Sequence, residues 1–90
     1  MNAVPIHVLA GILRDATGRV LLEQRPPGKH LAGLWEFPGG KRNASETSIV
    51  ALARELLEEL GISVHDAQPL TAITHAYADK TIRLDAWIIT

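Results

Sequence analysis

Three glutamates, Glu55, Glu58 and Glu59, stand at i, i+3 and i+4. In a helix that spacing gathers three carboxylates within about 100° of arc on one face. Like charges so placed destabilise a helix by about 0.2–0.5 kcal/mol per pair, so an offsetting cation is expected. A hard divalent ion such as Mg²⁺ suits carboxylate oxygen, keeps several waters and is completed by phosphate oxygens, so the cluster points to a metal and a phosphorylated ligand together. The competing reading is a solvated acidic stripe, because Glu is a good helix former. Arg54 lies four residues before Glu58 and can hold one carboxylate in place. Upstream, Phe37-Pro38-Gly39-Gly40-Lys41 reads as a glycine turn feeding the helix, a geometry in which backbone amides approach an anion, with Lys41 and Arg42 close behind.

The elements that must position these groups follow from periodicity. Apolar runs at 5–13 and 19–24, separated by Arg-Asp-Ala-Thr-Gly, predict a β-hairpin. From Arg25 to Lys41 the density of Pro and Gly predicts a loop, with a short strand around Leu34–Phe37. Ile49, Val50, Ala53, Leu56, Leu57 and Leu60 recur every three or four residues, which predicts a helix from Ala44 to Leu60. Ser45 or Asn43 would cap its start, Glu46 would charge its first turn, and Gly61 would end it in a left-handed cap. Short apolar stretches follow at 62–64 and 70–73. A turn at Ala78-Asp79-Lys80 precedes an alternating strand over 81–90. Helix-on-sheet packing in this order is an α+β arrangement with a mixed or antiparallel sheet.

With 90 residues, 47% of them hydrophobic and 21% charged, the chain is expected to form one domain, residues 1–90, with one core. It has no Cys, so a metal must be held by oxygen or His, and a reducing compartment is favoured. No apolar run approaches a membrane span and no signal-peptide pattern opens the chain, so a cytoplasmic protein without a membrane partner is expected. A net charge of −1 offers no general attraction to a nucleic-acid polymer. Arg25, Lys29, Lys41 and Arg42 nevertheless gather four of the nine basic residues in one stretch.

The string Gly40, five residues, Glu46, seven residues, then Arg54-Glu55-Leu56-Leu57-Glu58-Glu59-Leu60-Gly61-Ile62 resembles the signature of the Nudix hydrolases at each fixed position, over 23 residues. The resemblance implies the Nudix fold, a mixed β-sheet sandwiched between helices (α/β/α), with a second helix missing from this chain. It implies metal ligation by Glu55, Glu58, Glu59 and the carbonyl of Gly39, with Mg²⁺ as the ion and Mn²⁺ as a substitute. Glu55, with Glu58, would assist catalysis, Arg54 would orient a carboxylate, and Glu46 would serve the outer edge of the site. Outside this string the chain is similar to the MutT branch, through Glu23-Gln24-Arg25, His30 and Leu34-Trp35-Glu36-Phe37-Pro38-Gly39-Gly40-Lys41. That similarity implies nucleotide contacts from Arg25, His30, Glu36, Phe37, Pro38, Gly39 and Lys41. Asp79 and Lys80 would fall in a loop near the base. The implied reaction is hydrolysis of a nucleoside triphosphate, typically 8-oxo-dGTP, to monophosphate and pyrophosphate.

Other readings stay open. The same signature serves hydrolases of dinucleoside polyphosphates, ADP-ribose or ordinary triphosphates. A non-catalytic base-recognition module resembling the C-terminal domain of MutY is a reading of another class, although such modules lack the Glu cluster kept here. Judged alone, Arg25 reads equally as a surface charge or a ligand, His30 as an ordinary surface residue, Trp35 and Phe37 as core or loop anchors, and His7 as a plain strand residue. MutT-like domains run on beyond a point equivalent to Thr90, so a C-terminally truncated domain, or one fused to a further domain, is expected. A polypeptide ending at Thr90 would expose apolar surface and invite self-association.

Overall fold

The computed structural model of the chain describes residues 5–28 and 31–89. Its elements are β1 (Ile6–Leu13), β2 (Glu23–Gln24), β3 (Trp35–Glu36), β4 (Gly39–Lys41), α1 (Ser48–Leu60), β5 (Ala67–Ala76) and β6 (Thr81–Ile89). Four strands form a mixed sheet in the order β4-β1-β6-β5, with β1 antiparallel to β4 and parallel to β6, and β5 antiparallel to β6. Strands β2 and β3 make a separate antiparallel ribbon. The expected α+β class and mixed sheet are therefore what the chain forms.

Alternation along the strands sorts the two faces of the sheet. Leu9 of β1 is buried with Ala51, Leu52 and Leu56 of α1, and Leu13, Val64, Trp87 and Ile89 pack around them. The alternate residues Val8, Ala10 and Leu84 line a cleft instead. No helix among the described residues is long and apolar enough to cross a membrane.

Several local expectations are corrected. The predicted second hairpin strand shrinks to Glu23–Gln24, because β1 already pairs with β4 on one side and β6 on the other. Residues beyond its end can only bridge Arg14 to Val20, and Leu21 and Leu22 stay exposed. Gly39–Lys41, read as a turn, is a strand paired to β1. The helix starts four residues late, at Ser48, and its cap is Thr47 rather than Asn43 or Ser45: the Thr47 hydroxyl accepts the Val50 N–H at 3.4 Å. No acidic residue lies in its first turn, since Glu46 precedes it. Gly61 ends it as expected, with φ 68°. The buried stripe is also shifted, because Val50, Leu57 and Leu60 face outward while Ala51 and Leu52 face the sheet. Residues 62–64 form no strand, whereas 70–73 lie inside the longer β5 and the 78–80 turn joins it to β6.

Candidate active site

The C-terminal half of α1 crosses β4, and the contact is made by a carboxylate against a glycine. A methyl group on Gly40 would lie 2.5 Å from Glu55 Cδ, so only a residue without a side chain lets the carboxylate rest there. Gly39 meets a harder limit, with φ 151° and a built Cβ only 1.9 Å from the Leu9 carbonyl oxygen. Both glycines permit close approach, one to the Glu55 side chain and the other to the β1 backbone.

Arg54 organises the acidic groups around it. Its Nε donates to Glu46 Oε2 at 2.6 Å and its Nη2 to Glu46 Oε1 at 2.9 Å, a two-pronged pairing. Its Nη1 donates to Glu55 Oε1 at 2.9 Å and stands 3.5 Å from Glu58 Oε2. A further bond reaches the Lys41 carbonyl at 3.2 Å. The predicted i+4 pairing with Glu58 is thus the longest contact of the set. Hydrogen bonds from Arg54, and then from the Asn43 N–H, hold the Glu46 carboxyl down at about 2, and the Arg54 guanidinium is raised in turn by Glu46 and Glu55.

One turn beyond Glu55, at Glu59, the same face of α1 meets the β2–β3 ribbon. Its pairing sets Glu23 opposite Glu36, and Arg25 Nη1 bonds both Glu36 oxygens, at 3.0 and 3.2 Å. Glu23, Arg25, Glu36, Gly39 and Glu59 surround a polar recess. Partial burial, then the neighbouring Glu55 and Glu23 carboxyls, push the Glu59 carboxyl up to about 8. Glu59 keeps a solvent-exposed flank, so the crowding is open to water on one side. The recess shares Arg25, Glu36 and Gly39 with a larger cleft of 490 Å³, which adds Val8, Ala10, Phe37, Lys41 and Leu84 and is mostly apolar.

Among the described residues no three His, Asp or Glu groups converge into a ready-made metal cage. The donor set nevertheless fits an oxygen-seeking divalent ion: Glu59 is crowded by two further carboxyls, a repulsion a cation relieves. Such an ion needs only one or two carboxylates when water and substrate phosphate supply the rest.

The structure brings together Glu46, Arg54, Glu55, Glu58 and Glu59, and places Arg25, Glu36, Phe37, Gly39 and Lys41 around the adjoining cleft. Pro38 is fully buried behind the cleft, its carbonyl accepting the Gly11 N–H at 2.8 Å. Asp79 and Lys80 sit in the exposed β5–β6 turn and line neither space. His30 falls outside the described residues. Sequence reasoning misses Glu23 as a site residue, because its proximity to Glu59 arises only from the ribbon folding back. Glu23 opens the Glu23-Gln24-Arg25 segment that carries the MutT similarity, but the sequence assigns it no role.

The NUDIX domain family model matches residues 9–90. An 8-oxo-dGTP diphosphatase of Proteus vulgaris is 40% identical over 90 residues, all of this chain and 80% of the relative. A CTP pyrophosphohydrolase of Escherichia coli K12 is 42% identical over 82 residues, 91% of this chain and 60% of the relative. Among solved structures, a MutT from work on Aliivibrio salmonicida and Vibrio cholerae superposes with a TM-score of 0.80 at 34% identity, over 97% of this chain and 66% of that one. A MutT NUDIX hydrolase from Burkholderia pseudomallei gives 0.85 at 29% identity, over 97% and 67%.

Proposed function

The chain belongs to the NUDIX domain family of hydrolases, and from that premise we propose that it is a divalent-cation-dependent pyrophosphohydrolase of nucleoside triphosphates, with 8-oxo-dGTP as the preferred substrate and the cytoplasm as its place of work. The observation that carries the reading is the continuity of two unlike spaces. A mostly apolar cleft suited to a base opens, across Arg25, Glu36 and Gly39, onto a recess edged by Glu23 and Glu59. A nucleotide has the same division between flat base and phosphate chain.

Glu58 and Glu59, with the Gly39 carbonyl, would hold Mg²⁺, and the bound ion would supply neutralisation of phosphate charge. Glu55, oriented by Arg54, would accept a proton from the attacking water. Water oxygen bonds to the β-phosphorus while the bond from that phosphorus to the α–β bridging oxygen breaks. The bridging oxygen leaves with the nucleoside monophosphate, and the water oxygen remains in pyrophosphate. Arg25, which lines both the cleft and the recess, would neutralise the departing phosphates, with Lys41 of the adjoining cleft beside it.

A second reading, hydrolysis of an ordinary triphosphate such as CTP, is favoured by the E. coli relative named for that activity. Dinucleoside polyphosphates and ADP-ribose belong in the same screen. Phosphate release from each nucleotide, with Mg²⁺ and with chelator, tests the class. Glu55→Gln and Glu58→Gln are expected to lower turnover by about 10²-fold or more with circular dichroism unchanged. Full rates in both variants would remove these residues from the mechanism.

A further inference from the structure

The buried charged residue of the described chain lies away from the cleft. Asp85 is 8% exposed, on β6 opposite Leu9 and therefore on the face that α1 covers. An ionised carboxylate placed there is strongly unfavourable unless paired. Arg83 Nε stands 3.5 Å from one of its oxygens, and His7 Nε2 bonds the other. The second ring nitrogen of His7 is engaged elsewhere, since Arg42 Nε donates to His7 Nδ1 at 3.0 Å. Arginine only donates, so Nδ1 is the acceptor and Nε2 carries the proton directed at Asp85.

Arg42 is also held to His7 through the backbone, its N–H reaching the His7 carbonyl at 2.8 Å. Its Nη1 donates to the Glu46 carbonyl at 2.7 Å. Glu46 is the residue whose carboxylate clamps Arg54, and Arg54 holds Glu55. An unbroken series of bonds therefore runs from the sheet interior to the proposed general base: Asp85, His7, Arg42, Glu46, Arg54, Glu55.

We propose that His7 is a positioning residue for Glu55, its imidazole oriented by Asp85 so as to anchor Arg42 and, through it, the loop that presents Glu46 to Arg54. This rests on the reading that Glu55 serves hydrolysis. The alternative is that His7 merely satisfies the buried Asp85 carboxylate.

The two roles separate in the double variant His7→Leu/Asp85→Leu. Removing both buried partners together avoids leaving an unpaired buried carboxylate, the half-exposed Arg83 turning to solvent, and returns stability toward that of the parent, but Arg42 still lacks its acceptor. Two readouts apply: hydrogen exchange of the Arg54 Nε–H by NMR, and kcat against KM on a nucleoside triphosphate with Mg²⁺. In the double variant, and in Arg42→Met, Arg54 exchange is expected to be about tenfold faster than in the parent. The kcat should fall about tenfold with KM changed less than about twofold. Parental Arg54 protection and kcat in the double variant would overturn the proposal. Should the parent hydrolyse no nucleotide, the functional reading fails, and the exchange measurement alone still decides whether His7 positions Arg54.

Discussion

Gly39 and Gly40 are adjacent in sequence but restricted by different neighbours, and this separates their substitutions. At Gly40 the obstacle to an added methyl is the end of the Glu55 side chain, itself tethered by Arg54. Gly40→Ala should therefore displace the carboxylate while sparing the fold, lowering kcat by on the order of 10²-fold with a stability loss of about 1 kcal/mol, read by steady-state kinetics and thermal unfolding. At Gly39 the obstacle is the Leu9 carbonyl and the conformation is one that side chains rarely adopt. Gly39→Ala should instead lower Tm sharply, because backbone strain of about 1–3 kcal/mol adds to the clash. Equal stability in the two variants would contradict this division. At this scale the helical spacing of Arg54, Glu55, Glu58 and Glu59 was legible, since periodicity alone puts them on one face. The partners that come from elsewhere, Glu46 on Arg54 and Glu23 beside Glu59, depend on chain reversals that no local pattern encodes.

Individual elements owe their limits to side chains that satisfy backbone groups. Thr47 caps α1, so Thr47→Ala should cost about 1 kcal/mol, visible as a Tm loss of about 4–8 °C for a domain of this size; Ser45→Ala should leave Tm unchanged. The turn after β1 is organised by Asp15, whose carboxylate accepts the Thr17 hydroxyl at 2.7 Å and Arg19 Nε at 2.6 Å. Its backbone partners are the N–H groups of Thr17 and Arg19. Hydrogen bonds from the Thr17 and Arg19 side chains lower its carboxyl from 3.8 to about 2. A depressed carboxylate stabilises the fold above its unfolded value and loses that contribution as pH falls through the folded one. The parent should therefore lose stability relative to Asp15→Asn between pH 3.8 and about 2, as measured by urea unfolding across that range. Parallel curves would exclude the effect. The hairpin turn and the α1 C-cap were legible because Asp and Gly act within a few residues. The strand at Gly39–Lys41 was not, because two glycines read as a turn until β1 is available to pair with them. The helix start was misplaced for a related reason: Asn43 and Ser45 are good caps, but Glu46 is drawn into Arg54 before the helix begins.

Across the molecule, the proposed site lies at the seam of three pieces: α1 with its Glu cluster, β4 with its glycines, and the β2–β3 ribbon carrying Glu23, Arg25 and Glu36. A divalent ion bound at this seam links the three pieces, and binding to the folded state alone stabilises it. Mg²⁺ at about tenfold excess over its Kd should add about 1.4 kcal/mol, or on the order of 5–10 °C in Tm, with chelator reversing the gain and Glu59→Gln reducing it. An unchanged Tm would count against the metal site. The layered arrangement was legible in the order of elements, whereas the extent of the core was not: Val50, Leu57 and Leu60 on α1, and Leu70 and Ile73 on β5, are exposed although their spacing reads as core. Water attack on the β-phosphorus of a nucleoside triphosphate, with help from Glu55, is the chemistry on which the proposed function stands. The most direct test is ³¹P NMR of 8-oxo-dGTP and CTP hydrolysis with Mg²⁺ in ¹⁸O-water. The predicted result is ¹⁸O in pyrophosphate, unlabelled monophosphate, and loss of both products in Glu55→Gln. Label in the monophosphate, release of orthophosphate instead, or no cleavage of either nucleotide would contradict it.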